Sequence, residues 1–171
     1  MIDAHCHLDF DRFDKDRDEL LARARSVGVQ GWIVAGVRPE DWQRQAALEK
    51  YDDVHVAYGI HPHVAAQWYG NELKDAMAEL RQRRGIAVGE MGLDGGNYVP
   101  RGSLPFQLKA FRAQLSLARE LNLPVILHIF GPHGMAIETL KRDGLPQAGG
   151  MVHSYSGSAE LVQRYEQLGL Y

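Results

Sequence analysis

Covalent cross-linking is the first thing this sequence lacks. Its 171 residues include one cysteine, Cys6, so no internal disulfide can form and a disulfide-stapled fold is excluded. No apolar run approaches the roughly 20 residues that cross a bilayer as a helix. The opening residues carry no basic segment ahead of an apolar stretch, as a signal peptide would. A cytoplasmic protein without membrane contact is expected. Excess charge is lacking too: 19 Lys and Arg stand against 22 Asp and Glu, a formal net charge of -3. No bulk attraction to nucleic acid or an anionic surface is built in, so any such contact must be local. Low-complexity tracts and linkers are absent, and 45% of the residues are apolar. One compact domain over residues 1–171 is expected.

What is present is an alternation. Short β-rich apolar runs (2–8, 31–35, 54–60, 86–91, 124–129 and 150–153) are separated by longer segments of helical periodicity. Runs such as GWIVAG, IAVGEM and PVILHI are apolar at nearly every position, as parallel strands covered on both faces tend to be. Helices are predicted over about 17–27, stopping at Gly28, and over 71–84, stopping at Gly85. The longest begins at Ser103, a candidate cap, with Pro105 in its first turn. Leu108, Phe111, Leu115, Ala118 and Leu121 recur along it until Asn122 and Pro124 close it. In the last helix Leu161, Val162, Tyr165 and Leu168 share a face, Gly169 stops it, and Leu170 and Tyr171 read as the start of a seventh strand. The class is α/β, and repeated strand–helix units suggest a TIM-type (β/α)8 barrel, truncated here after about six units. An open doubly wound sheet is the alternative, but no Gly-rich phosphate loop follows the first strand.

The chain has eight histidines and spends two of them on HCH within its first ten residues. Side chains alternate along a strand, so His5 and His7 share one face and Cys6 takes the other. Glu90 ends IAVGE, His128 ends PVILH and His153 ends GGMVH. All would sit at the carboxyl ends of strands, the rim on which barrels build active sites. Imidazoles with a carboxylate suit a divalent transition metal, and Glu90 could bridge two ions. Two such ions can activate a water and stabilise a leaving oxygen, which is hydrolytic chemistry.

His61 and His63, in YGIHPHVA, follow the third strand. His61 is read as a substrate or phosphate contact and His63 as structural. Asp94, in GLDGG, is read as a helix cap or as a hydrogen-bond partner that orients a ligand. The acidic run DFDRFDKDRDE lacks the spacing of a calcium loop and reads as a solvated helix start. Around Ser154, Ser156 and Gly157, backbone amides could receive a phosphate or simply cap the next helix.

The stretches IDAHCHLD, YGIHPH, AVGEMGLD, FQLKAFRAQLSLARELNLPVILH and MVHSYSGSAELVQRYEQLGLY, in that order, resemble the TatD-like metal-dependent deoxyribonucleases of the amidohydrolase superfamily. The resemblance implies a metal-dependent hydrolase with a TIM-type barrel and, most often, two divalent ions (Mg, Mn or Zn). His5 and His7 would hold one ion, Glu90 would bridge, and His128 and His153 would hold the second. It implies phosphodiester hydrolysis, expected here as 3′–5′ exonuclease action on single-stranded DNA. His61 and Glu90 are the candidate catalytic residues, and His61, Ser154 and Ser156 the candidate substrate contacts. A different amidohydrolase reaction, on an ester or phosphotriester, is the alternative, since Phe130 stands where the family usually carries an Arg.

The family also carries a further Asp, after a seventh strand, that these 171 residues do not contain. A fragment, a barrel completed by a protein partner or by self-association, or a catalytically impaired scaffold is therefore expected. Slow turnover by this chain alone follows, and ready DNA hydrolysis by it would overturn that expectation.

Overall fold

Each of the six apolar runs becomes a parallel strand: β1 (Ile2–Cys6), β2 (Gly31–Val34), β3 (Val54–Tyr58), β4 (Ala87–Asp94), β5 (Val125–Phe130) and β6 (Gly150–Val152). The computed structural model describes residues 1–83 and 85–171. The strands form one sheet in chain order, β1-β2-β3-β4-β5-β6, and every neighbouring pair is parallel. Parallel neighbours in chain order need a crossover at every step, and this winding curls the sheet into the wall of a TIM-type barrel. The crossovers contain α1 (Arg17–Ser26), α2 (Trp42–Ala46), α3 (Gly70–Gln82), α4 (Leu104–Leu121) and α5 (His133–Asp143), and α6 (Ala159–Glu166) follows β6. After α6, Leu170 makes a parallel bridge to Gly150, and the Tyr171 N–H donates to the Gly150 carbonyl at 3.0 Å. The expected start of a seventh strand is in place. Among the described residues no helix is long and apolar enough to cross a membrane.

The apolar residues divide into two layers. Val34, Val56, Val88 and Leu127 pack outward against helix residues including Leu21, Trp42, Leu80, Phe111 and Ile137. A smaller cluster of Ala57, Ala87 and Ile126, with Ile33 and Met151 against it, lines the opposite, concave face. Because strand side chains alternate, the face that carries Ile126 and Met151 carries His128 and His153 two residues later. The histidines thus form the layer above the inner apolar floor.

Two strands interrupt this register. β1 pairs with β2 at Asp3↔Trp32 and next at Cys6↔Val34, three residues against two. β4 does the same against β5, from Val88↔Val125 to Met91↔Leu127. Each is a bulge, which re-aims a side chain at the cost of local pairing. They fall on the segments that carry His5 and Glu90.

Several expectations are corrected. β1 stops at Cys6 rather than Leu8, because the chain turns and the Phe10 N–H donates to the His7 carbonyl at 3.2 Å. β4 does not end near Glu90 but resumes pairing after its bulge and runs to Asp94. Ser103 precedes α4 without a side-chain cap; its hydroxyl instead accepts a hydrogen bond from Gln107 Nε2 at 2.9 Å. α5 was hidden by Gly131, Pro132 and Gly134, although Ala136, Ile137, Thr139 and Leu140 supply its buried face. The expected end of α3 at Arg84 lies outside the described residues. Cys6 does turn away from the histidines: its thiol donates to the Ile33 carbonyl at 3.4 Å. Burial, with Asp3 nearby, pushes its pKa up to about 12.

Below Glu90 the backbone itself fills the barrel. The Gly36 N–H donates to the Gly89 carbonyl and the Glu90 N–H to the Gly36 carbonyl, both at 3.0 Å. A Cβ on Gly59 would lie 2.5 Å from the Gly89 carbonyl carbon and 2.8 Å from the Glu90 nitrogen. Backbone cannot move aside as a side chain can. Gly59→Ala is expected to cost about 3 kcal/mol, near the upper end for overpacking, and roughly 10 °C of melting temperature. Gly134→Ala in α5, where a Cβ meets nothing within 4 Å, should be neutral or slightly stabilising in the same melt.

Candidate metal centre

Glu90 is 1% exposed and, among the described residues, has no lysine or arginine partner. A buried carboxylate without compensation is costly, and here the compensation comes from imidazoles. Its Oε1 lies 2.5 Å from His153 Nε2, 2.9 Å from His128 Nδ1 and 3.2 Å from His61 Nε2. Its Oε2 lies 2.8 Å from His5 Nε2 and 3.7 Å from His7 Nε2. Residues from β1, β4, β5 and the segments after β1, β3 and β6 therefore converge on one carboxylate. Burial alone would push the Glu90 carboxyl up, but hydrogen bonds from His128, His153, His5 and His61 hold it far below the usual carboxylate range.

The histidines respond unequally. Burial lowers the pKa of His7 against the pull of Glu90, with His5 lowering it further. It does the same to His61, again against Glu90. His128 is opposed by burial but sits between two carboxylates, Glu90 and Asp94, and its pKa is raised. The His5 and His153 rings stack at 3.8 Å, which links the two sides of the carboxylate. The His61 Nδ1 accepts the His63 N–H at 3.0 Å, so its proton resides on Nε2.

The donor set fits divalent ions. His5, His7 and Glu90 place one ligand atom each within 4.8 Å of one another, and Glu90, His128 and His153 do the same. His128 Nδ1 and His153 Nε2 lie 3.3 Å apart. Ligand bonds of about 2.0–2.1 Å in a tetrahedron put neighbouring donors about 3.3–3.4 Å apart. His7 has a buried Nδ1 without a partner, and its Nε2 stops short of hydrogen-bonding distance to Glu90. Two ring nitrogens unspent on the protein suit an imidazole meant for something else.

All five candidate ligands, His5, His7, Glu90, His128 and His153, thus meet at one point, and His61 joins them. Ser154 and Ser156 do not: both are exposed on the loop after β6, Ser154 with a positive φ of 45°. Phe130 ends β5 and is 49% exposed. In the acidic run Asp14 pairs at the surface with Arg17 and Arg44, and Asp11 with Arg44, whereas Asp9 is buried.

Sequence reasoning missed two glutamines. Gln107 and Gln114 are fully buried on α4, two turns apart. Gln107 Oε1 accepts the Asp94 N–H at 2.8 Å and its Nε2 donates to the Asp94 carbonyl at 3.0 Å. Gln114 clamps Ile60, just before His61, in the same way, at 2.7 Å and 3.1 Å. The signal was available, since a seven-residue spacing returns to one helix face, here among apolar neighbours. Gln114→Leu orphans the N–H and carbonyl of Ile60, and should cost about 2–4 kcal/mol in urea unfolding. Ser116→Ala, on the exposed side of α4, should change the midpoint little.

The family described as TatD related DNase matches residues 2–171. An uncharacterized metal-dependent hydrolase, YjjV, of Escherichia coli (strain K12) is 37% identical over 171 residues, which is 98% of this chain and 65% of that protein. The 3′–5′ ssDNA/RNA exonuclease TatD of Citrobacter koseri is 36% identical over 176 residues, covering 100% of this chain and 65% of its own. The crystal structure of YjjV superposes with a TM-score of 0.89 at 35% identity, over 99% of this chain and 66% of that one. The chain spans about two thirds of the length of these relatives.

Proposed function

This chain belongs to the TatD-related DNase family, and from that premise we propose that residues 1–171 form a metal-dependent hydrolase domain that cleaves phosphodiester bonds. The substrate class is single-stranded nucleic acid, attacked from its 3′ end, in keeping with the name one relative bears. The observation that carries the reading is the division of labour at Glu90, whose two oxygens face two different sets of histidines. A bridging carboxylate between two ions needs that division.

In this reading His5, His7 and Glu90 would hold one divalent ion, and Glu90, His128 and His153 would hold a second. Imidazole and carboxylate donors suit Zn or Mn, with Mg a weaker match. Ions in such a pair supply Lewis acidity and lower the pKa of water, the requirements for hydrolysis near neutral pH. The chain's own groups do the rest. His61 carries its proton on Nε2, 3.2 Å from Glu90 Oε1, and turning that hydrogen bond from Glu90 to a phosphate oxygen would position the ester. Glu90 keeps its negative charge and holds the two ligand sets at a fixed separation. Ser154 and Ser156, exposed beyond β6, offer further contacts to the sugar–phosphate chain.

One observation favours a second reading. Phe130, half exposed at the end of β5, offers an apolar surface where a cation would neutralise phosphate. A neutral ester or phosphotriester fits that surface better.

The test is a 5′-labelled single-stranded oligonucleotide incubated with the protein and Mn2+, beside ester and phosphotriester substrates. Products shortened stepwise from the 3′ end, lost in His128→Ala, are expected even if turnover is slow. Hydrolysis of the neutral substrates with an intact oligonucleotide would replace the nuclease reading with the second one. Metal binding has its own readout. At a Zn2+ concentration of a hundred times Kd, stability should rise by about 2.7 kcal/mol per ion. A His5→Ala, His7→Ala protein should lose about half of the total rise. No rise in the parent protein would sink the metal reading.

A further inference from the structure

Asp94 belongs to neither ligand group, yet every polar atom it has is engaged. It is the last residue of β4 and 5% exposed. Gln107 holds its N–H and its carbonyl. Its Oδ1 accepts the Gly96 N–H at 2.7 Å. Its Oδ2 lies 2.8 Å from His63 Nε2 and 2.9 Å from His128 Nε2. Asp94 caps no helix: α4 begins ten residues later, after Ser103. Nor can Oδ2 reach an ion on the Glu90 side of His128, because the imidazole stands between them, Nδ1 toward Glu90 and Nε2 toward Asp94.

An ionised carboxylate only accepts hydrogen bonds. His128 faces a carboxylate with each nitrogen, Asp94 at Nε2 and Glu90 at Nδ1; an ion taking the place of the Nδ1 proton would leave the Nε2 proton directed at Asp94. Metal-bound imidazoles usually donate their other N–H to such a partner, which fixes tautomer and ring orientation and strengthens the ligand. His63 shares Oδ2 and keeps the carboxylate from turning away. The polar chain runs unbroken from Ser103 through Gln107, Asp94 and His128 to Glu90.

Building on the metal reading above, we propose that Asp94, braced by Gln107 and His63, is a positioning residue that locks His128 in its Nε2–H form. It thereby sets the affinity of the ion held by Glu90, His128 and His153, and not that of the ion held by His5 and His7. The coupling is selective because among these ligands Asp94 hydrogen-bonds His128 alone.

The experiment titrates Zn2+ alone into the 171-residue chain against a chromophoric chelator. The parent protein is expected to take up two equivalents. Asp94→Asn should weaken one of them by about 10- to 100-fold, the usual effect of losing such a partner, and leave the other unchanged. In a His5→Ala, His7→Ala background, Asp94→Asn should weaken the one remaining equivalent by the same factor. His63→Gln, which keeps Asp94 itself, should shift it in the same direction by less. Nitrogen-15 NMR of the imidazoles in the Zn2+-loaded parent gives a readout independent of any variant, and a proton on His128 Nε2 is expected. Two unchanged affinities in Asp94→Asn, an equal fall in both, or a proton on His128 Nδ1 would each overturn the proposal. A parent protein that binds no Zn2+ would overturn the metal reading, and this proposal with it.

Discussion

The structure depends on one buried negative charge. Glu90 sits at 1% exposure inside the curl of a parallel sheet, where an ionised carboxylate would be prohibitive in isolation. Its cost is offset by imidazole nitrogens from separate parts of the chain, brought to both of its oxygens. That arrangement cannot be built piecemeal. Each histidine is well placed only when the strands bearing the others are already in register, so the site and the sheet specify each other.

Much of the remaining architecture can be understood as support for that point. Bulges in β1 and β4 turn His5 and Glu90 away from regular alternation. Glycines at 36, 59 and 89 let three backbone segments close up beneath the carboxylate, which gives it a floor of peptide rather than of mobile side chains. From the outer face, α4 reaches through with two glutamines and grips the chain next to His61 and at Asp94. A long helix with a continuous apolar face is a rigid ruler, and glutamines seven residues apart set two loops from one support.

Some of this was legible before any coordinates. The strand–helix alternation was plain because parallel strands covered on both faces are nearly all apolar, and that pattern survives in a bare sequence. The five ligand candidates were visible because His and Glu stand out at the ends of such runs. The rule that located them was only approximately right: Glu90 lies inside β4, not at its end, and is redirected by a bulge that the preceding Gly89 alone hinted at. α5 was not predicted at all: Gly131, Pro132 and Gly134 at its start obscure a helical pattern whose buried face comes only from Ala136, Ile137, Thr139 and Leu140. The glutamine clamps were passed over because a buried amide looks unremarkable until its two partners are known.

By itself the sequence determined which residue types could meet, since local patterning controls strand, helix and face through short-range sterics and hydrophobic periodicity. It left the order of the strands open, because right-handed crossovers serve a doubly wound sheet as well as a barrel. Only the tertiary structure decided which oxygen of Glu90 each histidine faces, and that His128 turns Nδ1 to Glu90 and Nε2 to Asp94. Those outcomes turn on shifts of one residue in register and on distances of a few tenths of an ångström. Contacts between residues as far as 85 positions apart settle them, and no local pattern encodes such contacts.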